Sequence, residues 1–223
     1  MLVFGGSLGA RSLNLAAIEA FAGASFHVLH VCGERDYPDL AREQLRRGYE
    51  LHAQLEPADF SDALAAADLV VARAGGSVFE IAAHGLPAVL IPYPHATGDH
   101  QSGNARWMVQ AGAATVIEDR ELSASRLAAE VAALLADRSR LAAMAAAARG
   151  LARPDAAVEV AREVLEVARG CSTRPRRRAA RRSALSAGTA EEYTSSTPAP
   201  AGTLSALWPM LACSTPSAAR SSR

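Results

Sequence analysis

Lysine is absent from this chain, and all 23 of its basic residues are arginine. Aromatic residues make up only 5% of the 223 positions, and alanine dominates the apolar half of the composition. The formal net charge is zero, but residues 171–223 hold eight Arg against two Glu, so the first 170 residues carry a compensating negative charge. A chain without lysine cannot use the lysine-dependent phosphate loop of the P-loop nucleoside triphosphatases.

Cysteine is scarce as well, with only Cys32, Cys171 and Cys213. No two of them stand at a metal or redox spacing, and an odd number makes a poor disulfide framework, so we expect a reducing compartment. The amino-terminal residues lack the basic and apolar regions of a secretory signal. The longest apolar stretch near the end, 204–213, is too short to span a bilayer and contains Pro209. These absences favour a soluble cytoplasmic protein.

Strand patterns alternate with helix patterns along the first 169 residues. Apolar or alternating runs predict strands at 1–5, 26–31, 49–54, 68–72, 88–91 and 114–117. Helical spacing predicts helices at 10–22, 38–47, 57–67, 77–84 and 99–111, and then three alanine-rich helices at 123–136, 138–150 and 155–169. Because several strands are apolar throughout, both of their faces must be covered. The pattern therefore predicts an α/β fold with a doubly wound parallel sheet and C-terminal helices, whose ligands lie beyond the carboxyl ends of the strands.

The segment 170–223 differs in composition from the domain predicted over 1–169. It is rich in Ser, Ala, Pro, Thr and Arg and has few large apolar residues, so it cannot bury enough surface to offset the entropy of ordering. Its arginine run at 174–182 could contact nucleic acid or acidic lipid. We favour a disordered tail and expect no nucleic acid partner.

A glycine-rich loop directly follows the first predicted strand and opens the first helix. Gly5, Gly6 and Gly9 let the backbone approach an anion closely, and the free amides of a helix start favour phosphate. Ser7 adds a hydroxyl donor. The loop is not the dinucleotide fingerprint, because Ser7 stands at its second glycine and no acidic residue ends the second strand. A plain strand-to-helix turn is the alternative interpretation.

A second glycine pair, Gly75 and Gly76, follows the fourth predicted strand and again leads into a helix. The amides near Gly76, Ser77 and Val78 could donate to a diphosphate. Glu80 lies just inside that helix, where a carboxylate could accept hydrogen bonds from both hydroxyls of a ribose. The alternative is that Glu80 is a first-turn acid stabilised by the helix dipole.

A third polar loop, 92–104, follows the fifth strand and is stiffened by two prolines. Asp99 is predicted to cap the next helix. Gln101 offers both a donor and an acceptor, which suits sugar hydroxyls. His95 and His100 could be metal ligands or a general base. No acidic or cysteine partner stands at a convincing spacing, so we expect no metal site.

Three stretches resemble the MurG-type glycosyltransferases of glycosyltransferase family 28. They are residues 5–14, 72–108 and 110–122, which read GGSLGARSLN, ARAGGSVFEIAAHGLPAVLIPYPHATGDHQSGNARWM and QAGAATVIEDREL. The resemblance covers about residues 1–169 and implies the C-terminal, Rossmann-like half of a GT-B enzyme. It implies an inverting transfer of N-acetylglucosamine from UDP-GlcNAc to lipid I, a lipid-linked acceptor, which forms lipid II for peptidoglycan. It further implies a place on the inner face of the cell membrane, without a metal or other cofactor.

The resemblance also assigns residues to the donor: Ser7, Gly76, Ser77, Val78, Glu80, Gln101 and Asn104. Ser7 would contact the diphosphate together with the backbone amides of 76–78. Glu80 would hold the ribose, Gln101 would bind the sugar hydroxyls with Asn104 close by, and the backbone of 55–59 would meet uracil. The loop from 75 to 80 is one residue shorter than the commonest family version, and Leu8 stands where many members have Gln.

The N-terminal domain of the family has no counterpart in this sequence. In the family that domain carries the acceptor site, a histidine proposed as general base and a membrane-docking patch, so no catalytic residue is assigned. We expect a truncated enzyme that is inactive alone and needs an acceptor domain or a partner subunit. Two alternatives stay open, namely a subunit of a two-part UDP-GlcNAc transferase and a non-catalytic module that binds UDP-sugars.

Overall fold

Six parallel strands form one sheet in the part of the chain that the structure, a computed structural model, describes: residues 1–6, 9–43 and 45–172. The strands are β1 Leu2–Phe4, β2 Val28–Val31, β3 Tyr49–His52, β4 Val70–Ala72, β5 Ala88–Leu90 and β6 Ala114–Val116. Their order is β3-β2-β1-β4-β5-β6. The predicted doubly wound parallel sheet is thus confirmed.

Helices follow the strands in the predicted alternation. They are α1 Arg11–Ala20, α2 Tyr37–Leu40, α3 Pro57–Ala66, α4 Val78–Ala83, α5 His100–Gln110, α6 Ala124–Ala136, α7 Arg138–Leu151 and α8 Ala156–Ser172. The chain divides after Pro154 into two units, and α8 is the described part of the second. This helix continues past residue 169, where the sequence predicts the tail to begin. Residues 173–223 lie outside the described residues, so the disordered tail stays a prediction.

Apolar side chains cover both faces of the sheet. On one face Phe4 packs in a cluster with Ile81 of α4, while Val3 points to the other face and packs with Leu13 of α1 and Leu127 of α6. All five side chains are almost completely buried. This two-sided burial explains why the strands read as continuous apolar runs.

The helix predicted over 38–47 is wrong in its extent, because among the described residues of this segment the helix is Tyr37–Leu40. Further along, the guanidinium of Arg46 donates a hydrogen bond to the carbonyl oxygen of Phe21, at 3.0 Å, and another to that of Phe26. These bonds attach the segment to the end of α1 and to the approach to β2. Tertiary contacts have overridden an amphipathic pattern that would suit a longer helix.

The order of the strands determines where the two glycine loops lie. From β1 the chain first proceeds outward through β2 and β3, and it then returns to build β4 on the other side of β1. The register pairs Phe4 with Ala72, the last residues of β1 and β4. The loops after these two strands therefore leave the sheet side by side at its carboxyl edge. Ligands of such folds bind at this point, where the direction of winding changes.

Candidate functional site

The loop after β1 is pressed against the end of β2. The amide of Gly9 donates to the carbonyl of Gly6 at 2.9 Å. Gly9 has φ +75°, and a Cβ there would lie 2.3 Å from the carbonyl oxygen of Cys32. Only glycine fits this close approach. Ser7 and Leu8 lie outside the described residues, so the contact of Ser7 with a diphosphate stays a prediction.

A buried chain of polar side chains lies beneath this loop. The amide nitrogen of Asn14 donates to the carbonyl of Cys32 at 2.8 Å and to a carboxylate oxygen of Asp36 at 2.9 Å. The Asn14 side-chain oxygen, 3.1 Å from Nε2 of His30, must then accept from that nitrogen. Nδ1 of His30 is left to accept from the Tyr49 hydroxyl at 2.8 Å. Each member has a partner, so the network is compatible with complete burial.

Burial and charge shift the pKa values of this network. Burial lowers the pKa of His30 to about 4, so the imidazole is neutral near pH 7. Burial also raises the pKa of the Tyr49 hydroxyl. The hydrogen bond from Arg35 is the main reason that the pKa of Asp36 is lowered, and the charge of Arg35 adds to it. The network thus consists of a neutral histidine and tyrosine beside an ionised aspartate that two exposed arginines, Arg11 and Arg35, approach from outside.

The loop after β4 leaves backbone amides open at the start of α4. The amides of Val78 and Phe79 donate to the carbonyls of Gly75 and Gly76, at 3.3 and 3.2 Å. Within the described residues, the amides of Gly76 and Ser77 donate to no backbone carbonyl. A Cβ on Gly76 would meet no described atom within 4 Å. The Gly76 and Ser77 amides are therefore available to an anion, whereas that of Val78 is partly used by its own turn.

Asn104 of α5 joins the third loop to the second. Its side-chain nitrogen donates to the carbonyls of Ala74 and Gly75, at 2.9 and 3.3 Å. Gln101, one turn earlier on α5, accepts a hydrogen bond from the backbone amide of Tyr93 at 2.9 Å. The side-chain nitrogen of Gln101 thus remains a donor. Of the predicted site residues, Asn104 supports the second loop, and Gln101 presents an amide donor held by the third.

Glu80 is half-buried within the first turn of α4. Burial raises the pKa of this carboxyl group, and the charge of His84 opposes the shift. The rings of Phe79 and Trp107, with centroids 5.3 Å apart, pack α4 against α5. Glu80 therefore lies on α4, the helix that follows the second glycine loop. That helix packs against α5, which carries Gln101 and Asn104.

The predicted cap of α5 by the Asp99 side chain does not form. Asp99 adopts a left-handed backbone conformation, with φ 54°, and makes no side-chain hydrogen bond to an amide of α5. Its carboxylate instead accepts from the hydroxyl of Ser102 at 2.6 Å. Nδ1 of His100 donates to the carbonyl of Thr97 at 2.8 Å. These local bonds order the third loop.

The described part of the chain holds neither a metal-binding cluster nor a helix that could span a membrane. Two cavities lie away from the three loops. No group of three or more His, Cys, Asp or Glu could hold a metal ion there. None of the helices described has the length and apolar character needed to cross a membrane. A cavity of about 180 Å³ lies at the amino ends of β1 and β2, and one of about 580 Å³ lies against α1. Neither is lined by the three loops, whose amides and polar side chains lie at the carboxyl edge of the sheet.

Sequence patterns indicate no role for several polar residues at or under this edge, above all Arg73. It directly follows β4 and is only 7% exposed. A charged residue at the end of a wholly apolar strand is the one sequence signal that could have identified it. Asn14 and His30 carry a weaker signal, because their partners lie on other elements.

Comparisons with known proteins agree with this geometry. Residues 1–160 match the glycosyltransferase family 28 C-terminal domain. A transferase of Nitratidesulfovibrio vulgaris, named UDP-N-acetylglucosamine--N-acetylmuramyl-(pentapeptide) pyrophosphoryl-undecaprenol N-acetylglucosamine transferase, is 43% identical over 80% of this chain and 49% of its own length. The protein of the same name from Halorhodospira halophila is 47% identical over 76% of this chain and 49% of its own length. The chain thus spans about half the length of these curated relatives.

The crystal structure of Acinetobacter baumannii MurG superimposes with a TM-score of 0.65. It is 30% identical, and the match covers 74% of this chain and 51% of that one. The fold, the matched residues and the relatives agree. The chain therefore belongs to glycosyltransferase family 28, with the C-terminal domain of that family at residues 1–160.

Proposed function

We propose that this chain is the donor-binding half of an inverting glycosyltransferase that moves N-acetylglucosamine from UDP-GlcNAc to a lipid-linked acceptor in peptidoglycan synthesis. The names of the relatives support the donor, the sugar and the acceptor. The observation that carries the proposal is the adjacency of β1 and β4, which sets two glycine-led helix starts side by side at the carboxyl edge. A diphosphate at that edge would meet helix amides from both loops.

The proposed contacts divide the donor among the three loops. Ser7 and the amides of Gly76 and Ser77 bind the diphosphate, with a smaller contribution from the partly used amide of Val78. Glu80 accepts hydrogen bonds from the ribose hydroxyls. The free amide of Gln101 donates to the sugar, and Asn104 holds the second loop in place through Ala74 and Gly75.

This arrangement suits the departure of a nucleoside diphosphate. When an acceptor hydroxyl attacks the anomeric carbon, negative charge grows on the leaving diphosphate. Oriented amides stabilise that charge without having to reorganise. We assign no general base to these residues, and leave acceptor binding and the base to a second domain or subunit at the cytoplasmic face of the membrane.

Gly76→Ala tests the proposed position of the diphosphate. A methyl group there meets no described atom within 4 Å, so the variant should fold normally. If the diphosphate lies against this loop, the methyl group takes its space. We expect calorimetry to show UDP binding weakened about tenfold, or about 1.4 kcal/mol. The loss should be smaller for UMP, which lacks the second phosphate.

Gly103→Ala is the matched control, because a methyl group at this position of α5 also meets no described atom within 4 Å. It should bind UDP like the original chain. Unchanged UDP affinity in Gly76→Ala would remove the diphosphate from this loop.

A further inference from the structure

Arg73 bonds to several of the segments that form the site. Its Nη1 donates to the carbonyls of Ile91 and Pro92 after β5, at 3.2 and 3.3 Å. Its Nη2 lies 2.7 Å from the hydroxyl of Ser12 in the first turn of α1 and 2.6 Å from a carboxylate oxygen of Asp119 after β6. Ser12 also donates to Asp119 at 3.0 Å. A single buried guanidinium thus joins the segments that follow β1, β5 and β6 from its own position after β4.

One branch of these contacts leads to Gln101. The guanidinium carbon of Arg73 lies 5.5 Å from the centre of the Tyr93 ring, a cation–π distance. The backbone amide of Tyr93 in turn donates to the side-chain oxygen of Gln101. Arg73 therefore holds both the Tyr93 ring and the backbone carbonyls of the two residues before it. The backbone amide of Tyr93 in turn determines which end of the Gln101 side chain is free.

We propose that Arg73 is a positioning residue for the sugar part of the donor, an inference that rests on the proposed function. It holds the backbone at 91–93 so that Gln101 presents its amide nitrogen to the sugar, and through Ser12 it also holds the first turn of α1, which follows the first glycine loop. Arg73 itself need not contact the ligand, since its two terminal nitrogens already have partners. Its effect should therefore fall on the sugar more than on the UDP portion.

Lysine cannot replace arginine in this role. The planar guanidinium reaches two carbonyls with one nitrogen and a hydroxyl and a carboxylate with the other. An ammonium group is a compact point charge without that fork. Arg73→Lys thus separates positioning from charge, because it keeps the buried cation and loses most of the bonds.

The test compares the affinities of the full chain for UDP-GlcNAc and UDP by calorimetry. We expect Arg73→Lys and Arg73→Met to lower the ratio of the two affinities by roughly fivefold, the size of one lost hydrogen bond. With Gln101→Ala as the starting protein, adding Arg73→Lys should leave the ratio unchanged, because the two residues act in series. Arg120→Met, a change of an exposed arginine beside Asp119, is the control and should leave the ratio as it was.

Thermal unfolding of each variant identifies any that are not folded at the titration temperature. If Arg73→Met is unfolded, Arg73→Lys supplies the test, because it keeps the buried charge. Equal losses for UDP and UDP-GlcNAc in a folded Arg73→Lys would overturn the positioning role, as would additive effects of the Arg73 and Gln101 changes. Absence of UDP-GlcNAc binding by the unaltered chain would instead contradict the proposed function, so the two failures are distinguishable.

Discussion

Replacing Glu80 by alanine should weaken the binding of UDP by about 1–3 kcal/mol, the range for hydrogen bonds to a charged group. The carboxylate is half-buried at the start of α4, next to the amides proposed for the diphosphate. Two adjacent ribose hydroxyls can donate to its two oxygens at once. Calorimetric titration of UDP into both proteins measures the difference.

The ligand itself supplies the sharper comparison. The original chain should bind UDP more tightly than 2′,3′-dideoxy-UDP, and Glu80→Ala should bind the two equally. Glu118→Ala removes an exposed acid at the same edge of the sheet and should retain the preference. Because burial raises the pKa of Glu80, the preference should fade on acidification at a higher pH than an exposed glutamate would require. A Glu80→Ala protein that still prefers UDP would contradict the ribose contact.

Acidification should also destabilise the fold through His30. Burial lowers the pKa of this side chain from 6.5 to about 4, so between these values the unfolded chain binds a proton that the folded chain does not. The free energy of unfolding contributed by the neutral imidazole is therefore fully present above pH 6.5 and falls as the pH drops toward 4. The loss should total about 3 kcal/mol across this window. Urea unfolding at a series of pH values measures it.

His30→Gln isolates this contribution, because His30 is the only titratable group that differs between the two proteins. The variant should be less stable at pH 7, since it disturbs the bonds to Asn14 and Tyr49. It should nonetheless lose less stability between pH 6.5 and 4. His100→Gln, at an exposed histidine, should keep the full pH dependence. Parallel profiles for the original chain and His30→Gln would show that His30 does not titrate in this way.

Much of the fold could be predicted because strand burial is visible in sequence. Continuous apolar runs such as 69–72 and 88–91 indicate strands covered on both faces, and parallel strands place all of their following loops at one edge. Gly75, Glu80 and Gln101 each follow a strand, so they are expected at this edge whatever the order of the strands. The order itself, with β1 beside β4, depends on long-range packing that periodicity does not encode.

The wrong extent of the helix at 38–47 and the unpredicted buried polar contacts have one physical cause. Segment 38–47 has a helical pattern, but Arg46 donates hydrogen bonds to the carbonyls of Phe21 and Phe26, which lie far earlier in the chain. Asn14 and His30 look like isolated polar residues in apolar elements until the fold sets them 3.1 Å apart. Arg73 likewise has its partners on other segments. Local patterns reveal which face of an element is buried, but not which distant group will satisfy a buried polar side chain.

A crystal structure of the chain with bound UDP-GlcNAc would test the site most directly. We expect the diphosphate at the carboxyl edge between β1 and β4, with its oxygens about 2.7–3.2 Å from the amides of Gly76 and Ser77. A diphosphate bound instead at the cavity beside Met1 and His27, at the amino ends of the strands, would contradict the proposed donor site.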